Sequence, residues 1–512
     1  MGTIKRLGNF ALLAKDAHTL KRNADSSRRQ EFAEQVVARL GAMHGLPQKV
    51  AQLVGMSGSD LAEEFATLNE SASTLPLTTV RRELERQWQR PVDEVLQSLS
   101  PHGKAASLGQ VHSAVLRDGR KVAIKLQYPG IDRAIRTDLN LLNWLSLPVG
   151  GLARRSFDTR EYRDIIGAHI QDELDYRQEA RNQLEFAQRA SVCPWIVIPG
   201  VVDDLSTEQV LVTDWEDGEH WATAQRDWTS RDLTALAQRL VDYFHASLLE
   251  WGIVHADWHA GNLRFRRTAD GVQLVLFDFG SVFRPALPER LALLRLIRAL
   301  RGKTEPLYPI LVALGFDANH LHPLRSKLPA LCRVLLEPYE QDWPYDVGHW
   351  RMGERVGDIL GDDRWTFRVA APARLIYLMR AYHGLLYYVR ALPGLTNWWR
   401  CVAPQLSELS DAINRLELPA AEDDSEVSSA GELATQLQVQ IFDGGQLKFQ
   451  IAQRANAVEN LDSLLDDELR ERIAAQDVPL QQVVISARQH GYRPGELLRV
   501  KEGEREIVVR LL

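Results

Sequence analysis

The 512-residue sequence predicts an α+β protein of several domains, on three observations. Apolar residues recur at three and four positions before about residue 90 and again from about 232 to 416. The period falls to two between Ala105 and Leu126, around a hairpin turn. A second strand-rich stretch, Ile253 to Phe279, then interrupts the long helices. An apolar fraction of 45% and a charged fraction of 25% are those of an ordinary globular chain. The net charge of −7 is small for this length and argues against a nucleic-acid partner. Cys193, Cys332 and Cys401 lie far apart without CxxC spacing. They give neither a disulfide framework nor a zinc site and fit a reducing cytoplasm.

Met1-Gly-Thr-Ile-Lys-Arg lacks the apolar core of a secretory signal, and no apolar run approaches the roughly 20 residues of a membrane span. The nearest candidate, Ala370 to Trp399, is broken by Arg374, Arg380, His383 and Arg390. A cytoplasmic location follows, with peripheral membrane association as its limit. The residues that would supply an amphipathic face are Arg380, Tyr387, Tyr388, Arg390, Trp398 and Trp399. At helical spacing such residues more often form core and solvated edge.

In chain order, helical phasing runs through Phe32, Val36, Val37 and Leu40, then through Leu61, Phe65 and Leu68. Val111–Val115, the turn Arg117-Asp-Gly-Arg120 and Val122–Leu126 read as a hairpin. Helices are expected over Ile135–Trp144 and Tyr162–Arg189, and strands over Val197–Val202 and Gln209–Thr213. A helix Asp232–Trp251 precedes the strand-rich insert, and helices resume after Pro288. Ala420–Gly431 is acidic, small and polar, as a linker would be. Beyond it come a hairpin around Asp443-Gly-Gly, a charged helix Leu461–Ala475 and a closing hairpin near Lys501-Glu-Gly.

His255-Ala-Asp-Trp-His-Ala-Gly-Asn262 has Asp257 and Asn262 at the spacing of a kinase catalytic loop. In such a loop a carboxylate faces the acceptor hydroxyl while an amide oxygen one turn away faces magnesium on the phosphates. Leu274-Val-Leu-Phe-Asp278-Phe-Gly280 follows at hairpin separation, and Asp278 would supply a second hard oxygen to the metal. A lone Asp-Phe-Gly is a common accident; two motifs in the right order and context are not. Val122-Ala-Ile-Lys125 places an ammonium for the α- and β-phosphates. Alone it would read as an exposed edge lysine. Its partner should come from Asp172-Glu-Leu-Asp-Tyr-Arg-Gln-Glu-Ala-Arg-Asn182, where Glu179 is preferred over Glu173. The architecture is then a bilobal protein-kinase-like fold with an N-terminal helical extension and a small C-terminal α+β module. Its segments are 1–90 (extension), 91–213 (N-lobe), 214–417 (C-lobe), 418–432 (linker) and 433–512 (module).

Taken together, AASLGQVH, VAIKLQYPG, ELDYRQEARN, HADWHAGN and FDFG resemble the UbiB/AarF family of atypical protein-kinase-like proteins. The resemblance runs from about Gly45 to Gly280 and more loosely to Trp399. It implies an ATP-binding ATPase or small-molecule kinase that supports ubiquinone or other isoprenoid-lipid biosynthesis. ATP or ADP and Mg2+ would be the cofactors. Lys125, Glu179 and Asp257 would be catalytic, and Asn262 and Asp278 would be metal ligands. Ala105, Ala106, Ser107, Gly109 and Gln110 form the alanine-rich loop over the nucleotide, and adenine would lie at the hinge Asp214-Trp215-Glu216. Lys49 and Gln52 match the family's KxGQ extension, which occupies the space of a protein substrate. Ala51 replaces its glycine, Trp258 replaces a family proline, and Lys104 stands where the family has another alanine.

Protein substrates are disfavoured on independent grounds. Ala256 stands where regulated kinases have an arginine, and no Ala-Pro-Glu anchor follows Gly280. The expected partners are therefore a nucleotide, an isoprenoid-lipid substrate or peripheral membrane and, through the C-terminal module, another protein. Two rival readings are a small-molecule kinase of the choline or aminoglycoside type and a nucleotide-sensing pseudokinase scaffold.

Overall fold

The computed structural model describes residues 74–135 (without 107 and 134), 173–302, 305–419, 434–461 (without 435), 470, 473, 479–489 and 492–512 (without 504). The expected helices over 135–144 and 461–475, and Lys49, Gln52 and Ser107, fall wholly or mostly outside these residues. Two compact units emerge. One comprises residues 1–247, 253–284 and 373–393, the other 248–252, 285–372 and 394–512.

In the first unit a sheet is ordered β1 (Leu96–Leu99), β3 (Gly109–Leu116), β4 (Lys121–Gln127), β6 (Val210–Asp214), with β2 (Lys104–Ala105) on β3. The β3–β4 hairpin forms because Asp118 accepts from the Arg120 N–H (2.9 Å) and Gly119 takes a φ of +87° that other residues resist. Alternation does the rest. Val122, Ile124 and Leu126 enter a core with Val80 and Leu84 of helix α1 (Leu77–Trp88), while Lys125, paired with Leu211, faces the other side. That side is covered by α2 (Tyr176–Ala190), whose Tyr176 and Ala180 pack on Leu211. Asp175 caps α2 by accepting from the N–H groups of Arg177 and Gln178.

A three-stranded sheet, β5 (Ile196–Val197), β9 (Gly271–Leu276), β8 (Leu263–Thr268), and a short pair, β7 (Val254–His255) with β10 (Val282–Phe283), carry the loops of interest. The strand expected over Val197–Val202 shrinks to β5 plus a bridge from Val201 to Thr213, since Pro199 has no N–H to donate. Helix α3 (Ser230–His245) buries Leu233, Leu236, Ala237, Leu240, Val241 and Phe244 along one stripe, and helix α4 (Leu375–Arg390) packs on it.

The second unit holds the helices described between residues 287 and 370 and between 399 and 415, helix Leu480–Gln489 and a four-stranded antiparallel sheet. Its order is β12 (Gln446–Arg454), β11 (Gln436–Asp443), β14 (Arg505–Leu511), β13 (Gly495–Glu502). Both tail hairpins read from the sequence are present. The tail does not stand apart, however. Arg333 donates to Ala434 O (3.0 Å), Arg355 donates to the Tyr492 hydroxyl (3.2 Å), and helix Leu480–Gln489 packs on helix Met352–Leu360. Residues 434–512 thus share a compact unit with the helices of residues 285–372, which complete their buried face. Segments of both expected lobes, 91–213 and 214–417, contribute to the first unit.

Candidate functional site

Lys125 and Glu179 meet because strand alternation and helix phase both point inward. Lys125 Nζ lies 2.8 and 2.9 Å from the two Glu179 carboxylate oxygens and 3.1 Å from Asp278 Oδ2. The side chains are 15%, 3% and 33% exposed, so the carboxylate of Asp278 is the one that reaches solvent. Burial opposes the charge on Lys125, yet the carboxylates of Asp278 and Glu179 raise its pKa well above the usual lysine range. Glu179 is pushed up to about 7 by burial, against the pull of Lys125. Glu173, the other candidate partner, is also buried and lines the same cleft with Tyr176, but Glu179 takes the lysine.

Asp278 has φ +58°, a left-handed conformation that costs a non-glycine residue about 1–3 kcal/mol and collects at working sites. The strained turn is held from both sides. Asn182 of α2 donates to Phe279 O (2.9 Å), and the Phe279 ring packs on Phe186 and His255 at centroid distances of 5.0 and 5.3 Å.

The catalytic-type loop is equally fixed. His255 is buried, and burial lowers its pKa, which keeps the ring neutral. Its Nε2 donates to Phe277 O (2.9 Å) and its Nδ1 accepts from the Asp257 N–H (3.2 Å). Trp258 stacks on Tyr243 at 5.4 Å and donates to His255 O (2.8 Å). A Cβ at Gly384 of α4 would lie 2.3 Å from that of Trp258, so the glycine permits the loop and helix to touch. His259 accepts from the Gly261 N–H (3.0 Å), which braces the loop. Asn262 donates its Nδ2 to Asp257 O (3.2 Å), which leaves the amide oxygen as its acceptor end.

Sequence reasoning missed one residue at this loop. Arg380 of α4 donates to Asp257 Oδ1 at 2.5 Å, with both side chains largely buried. The sequence reads this arginine as an interruption of an apolar stretch and a candidate for an amphipathic face; its spacing from buried Tyr377 and Ala381 is the signal that places it inward. Arg380, Tyr388 and Trp398 are all buried, so the six residues suggested as an amphipathic face do not form one exposed surface.

The alanine-rich loop departs from expectation at Gln110. Its side chain is buried, accepting from the Leu75 N–H (2.6 Å) and bonding His112 Nε2 (2.7 Å), so both its polar ends are engaged within the protein. Ala105 pairs with Gln110 in the sheet, and the Ala106 N–H donates to Gly109 O (2.8 Å). A Cβ on Gly109 would lie 2.1 Å from Leu126 O, so this glycine serves close strand packing. At the expected hinge, the Trp215 N–H is engaged by Lys121 O (2.9 Å) and its ring by the Lys121 ammonium, 4.3 Å from the centroid. The backbone donor of Trp215 is therefore not open to an adenine.

The donor set suits a hard cation. Asp278 offers carboxylate oxygens and Asn262 an amide oxygen, while the soft ligands Cys193, Cys332 and Cys401 lie elsewhere. Among the described residues no cluster of three or more His, Cys, Asp or Glu side chains forms a self-sufficient metal site, and no helix is long and apolar enough to cross a membrane.

A strand lysine clasped by a helix glutamate, together with an Asp–Asn loop and an Asp-Phe-Gly turn, defines a kinase-like protein. Comparison with known proteins narrows that class. Residues 67–304 match the ABC1 atypical kinase-like domain, so the chain carries a kinase domain of the ABC1/AarF, or UbiB, type. It is 27% identical over 443 residues to a chloroplastic aarF domain-containing protein kinase of Arabidopsis thaliana, covering 84% of this chain and 58% of that one. It is 29% identical over 262 residues to the mitochondrial atypical kinase coq-8 of Caenorhabditis elegans, covering 49% and 34%. The chain thus spans 34% to 58% of these relatives' length. Among solved structures, the Rv3197–erythromycin complex from Mycobacterium tuberculosis aligns with a TM-score of 0.52 and 25% identity, over 73% of this chain and 96% of that one.

Proposed function

We propose that this domain binds ATP or ADP with Mg2+ and either hydrolyses ATP or transfers its terminal phosphoryl group to a small acceptor, in support of ubiquinone or other isoprenoid-lipid metabolism. The observation that carries the reading is the Lys125 ammonium held between Glu179 at 2.8 Å and Asp278 at 3.1 Å. That arrangement fixes a cation where nucleotide phosphates would lie and leaves an exposed carboxylate for a metal. Asn262 and Asp278 would hold magnesium, which supplies neutralisation of phosphate charge. Asp257 orients the attacking hydroxyl or water and takes its proton, and Arg380 fixes the carboxylate that does so. The gain in rate comes from positioning and electrostatics rather than covalent chemistry.

Asp257→Asn tests this. Magnesium-dependent ADP release, followed with and without vesicles carrying isoprenoid phenols, should fall by about 100-fold or more while ADP binding by calorimetry persists. Unchanged turnover in that variant would remove the assignment. Stimulation by the lipid would favour a lipid-pathway acceptor over the choline or aminoglycoside type.

A further inference from the structure

Glu179 is one of several buried polar side chains on helix α2. Asn182, one turn further on, and Gln183 are each 3% exposed. A buried amide is unfavourable unless bonded, and both reach distant backbone. Gln183 Nε2 donates to Pro199 O at 2.6 Å, and Asn182 Nδ2 donates to Phe279 O at 2.9 Å. The orientation of the Asn182 amide is imposed by its neighbours. Its Oδ1 accepts from Gln178 Nε2 at 3.0 Å and from Arg284 Nη2 at 3.1 Å, which leaves Nδ2 for the carbonyl. Arg284 directly follows β10, and the same Nη2 reaches Glu185 at 2.7 Å. Gln178, Asn182 and Glu185 stand at i, i+4 and i+7 on one face of α2. That face is bonded to both ends of segment 279–284.

The carbonyl held by Asn182 belongs to the residue next to Asp278, whose φ of +58° persists only if its surroundings fix it. In regulated kinases the glutamate helix and the Asp-Phe-Gly turn are aligned by a phosphate on the segment that follows, paired with an arginine. Ala256 supplies no arginine of that kind here, whereas Arg284 brings an unmodified cation from the segment itself to the helix. Glu179 and Asn182 lie one turn apart, so the bond to Phe279 also sets Asp278 against the Lys125–Glu179 pair. We propose that Asn182, oriented by Arg284, is a positioning residue that holds the Asp278 carboxylate ready for its metal ion. This deepens the proposed function and rests on it for the presence of Mg2+.

The test has two arms, both on the full chain. ADP affinity is measured calorimetrically in excess Mg2+ and in chelator, and the ratio of the two isolates what the metal contributes. Asn182→Ala should cut that ratio about tenfold while affinity in chelator changes by less than about twofold. Arg284→Met, at a half-exposed position that folding tolerates better, should cut it about threefold. Because one nitrogen makes both contacts of Arg284, an ammonium can replace it, and Arg284→Lys should restore most of the loss. An unchanged ratio in Asn182→Ala and Arg284→Met, or a parallel fall of both affinities, would leave the network a purely structural role and overturn the proposal. Hydrogen exchange on the nucleotide-free chain reads the turn itself. Amides of residues 278–283 should exchange about tenfold faster in Asn182→Ala, while those of β8 and β9 keep their rates. Unchanged exchange there removes the Asn182 assignment alone. A wild type that gains no affinity from Mg2+ removes the proposed function and the metal role together.

Discussion

Each compact unit buries a cation against a glutamate, and the two pairs are surrounded very differently. In the first unit Lys125 meets Glu179 at 2.8 Å and Asp278 at 3.1 Å, with Glu173 in the same cleft. Among the described residues three carboxylates line this cleft with one ammonium, and burial lifts Glu179 to about 7. In the second unit Arg355 meets Glu337 at 2.6 Å, with side chains 2% and 7% exposed. Among the described residues its other hydrogen-bond partners are neutral: the Tyr492 hydroxyl and Trp350 O accept from Arg355, and the Tyr345 hydroxyl donates to Glu337 at 2.8 Å. Each described charge there meets one counter-charge, as in the neighbouring Arg333–Glu340 pair at 3.0 Å, so the pair is closed and structural. The first arrangement gathers three carboxylates in one cleft, the donors that a hard cation takes. A buried ion pair therefore signals function less by its presence than by the charged groups gathered around it.

That contrast can be broken most severely at the closed pair. Arg355→Met strands Glu337 in a dry interior and should cost about 3–5 kcal/mol in chemical denaturation, while turnover per folded molecule stays the same. A loss below about 1 kcal/mol would show that the second network is not closed to water. The open pair should respond chiefly through pH. Between about 4.5 and 7 an unfolded Glu179 has released its proton while the folded one retains it. Stability contributed by this group therefore falls as pH rises through that window and is level above it. Glu179→Gln should flatten the decline by about 3 kcal/mol, read from denaturation midpoints at several pH values. An unchanged slope would exclude Glu179 as its source. Smallest in stability is Lys125→Met. The Glu179 that it strands can take up a proton, so the loss should be only about 1–2 kcal/mol, against a tenfold or greater loss of ADP affinity. A stability cost equal to that of Arg355→Met would erase the distinction between the pairs.

Both hairpins of the tail, the β3–β4 hairpin and the Asp257–Asn262 and Asp278–Gly280 motifs were legible because each is encoded over a short window. Turn residues such as Asp118-Gly119 fix local register, and strand alternation then fixes which side chains face inward. Two bonds lay beyond local reasoning for a shared reason. The Gln110 side chain turns inward to the Leu75 N–H and His112, and the Trp215 N–H is taken by Lys121 O. In each case a distant backbone group, invisible to local spacing, claims the polar atom first.

The sequence by itself determined the chemical inventory and its order: Lys125 on a strand, acids on the next described helix, then Asp257, Asn262 and Asp278 on loops between strands. It could do so because motif spacing and periodicity are properties of neighbouring residues. Only the tertiary structure decided that Glu179 rather than Glu173 takes the lysine, that Arg380 crosses 123 positions to hold Asp257, and that the tail completes the helices of residues 285–372. Those outcomes depend on helix phase and on which buried charge finds a counter-charge, which are settled when separate elements pack.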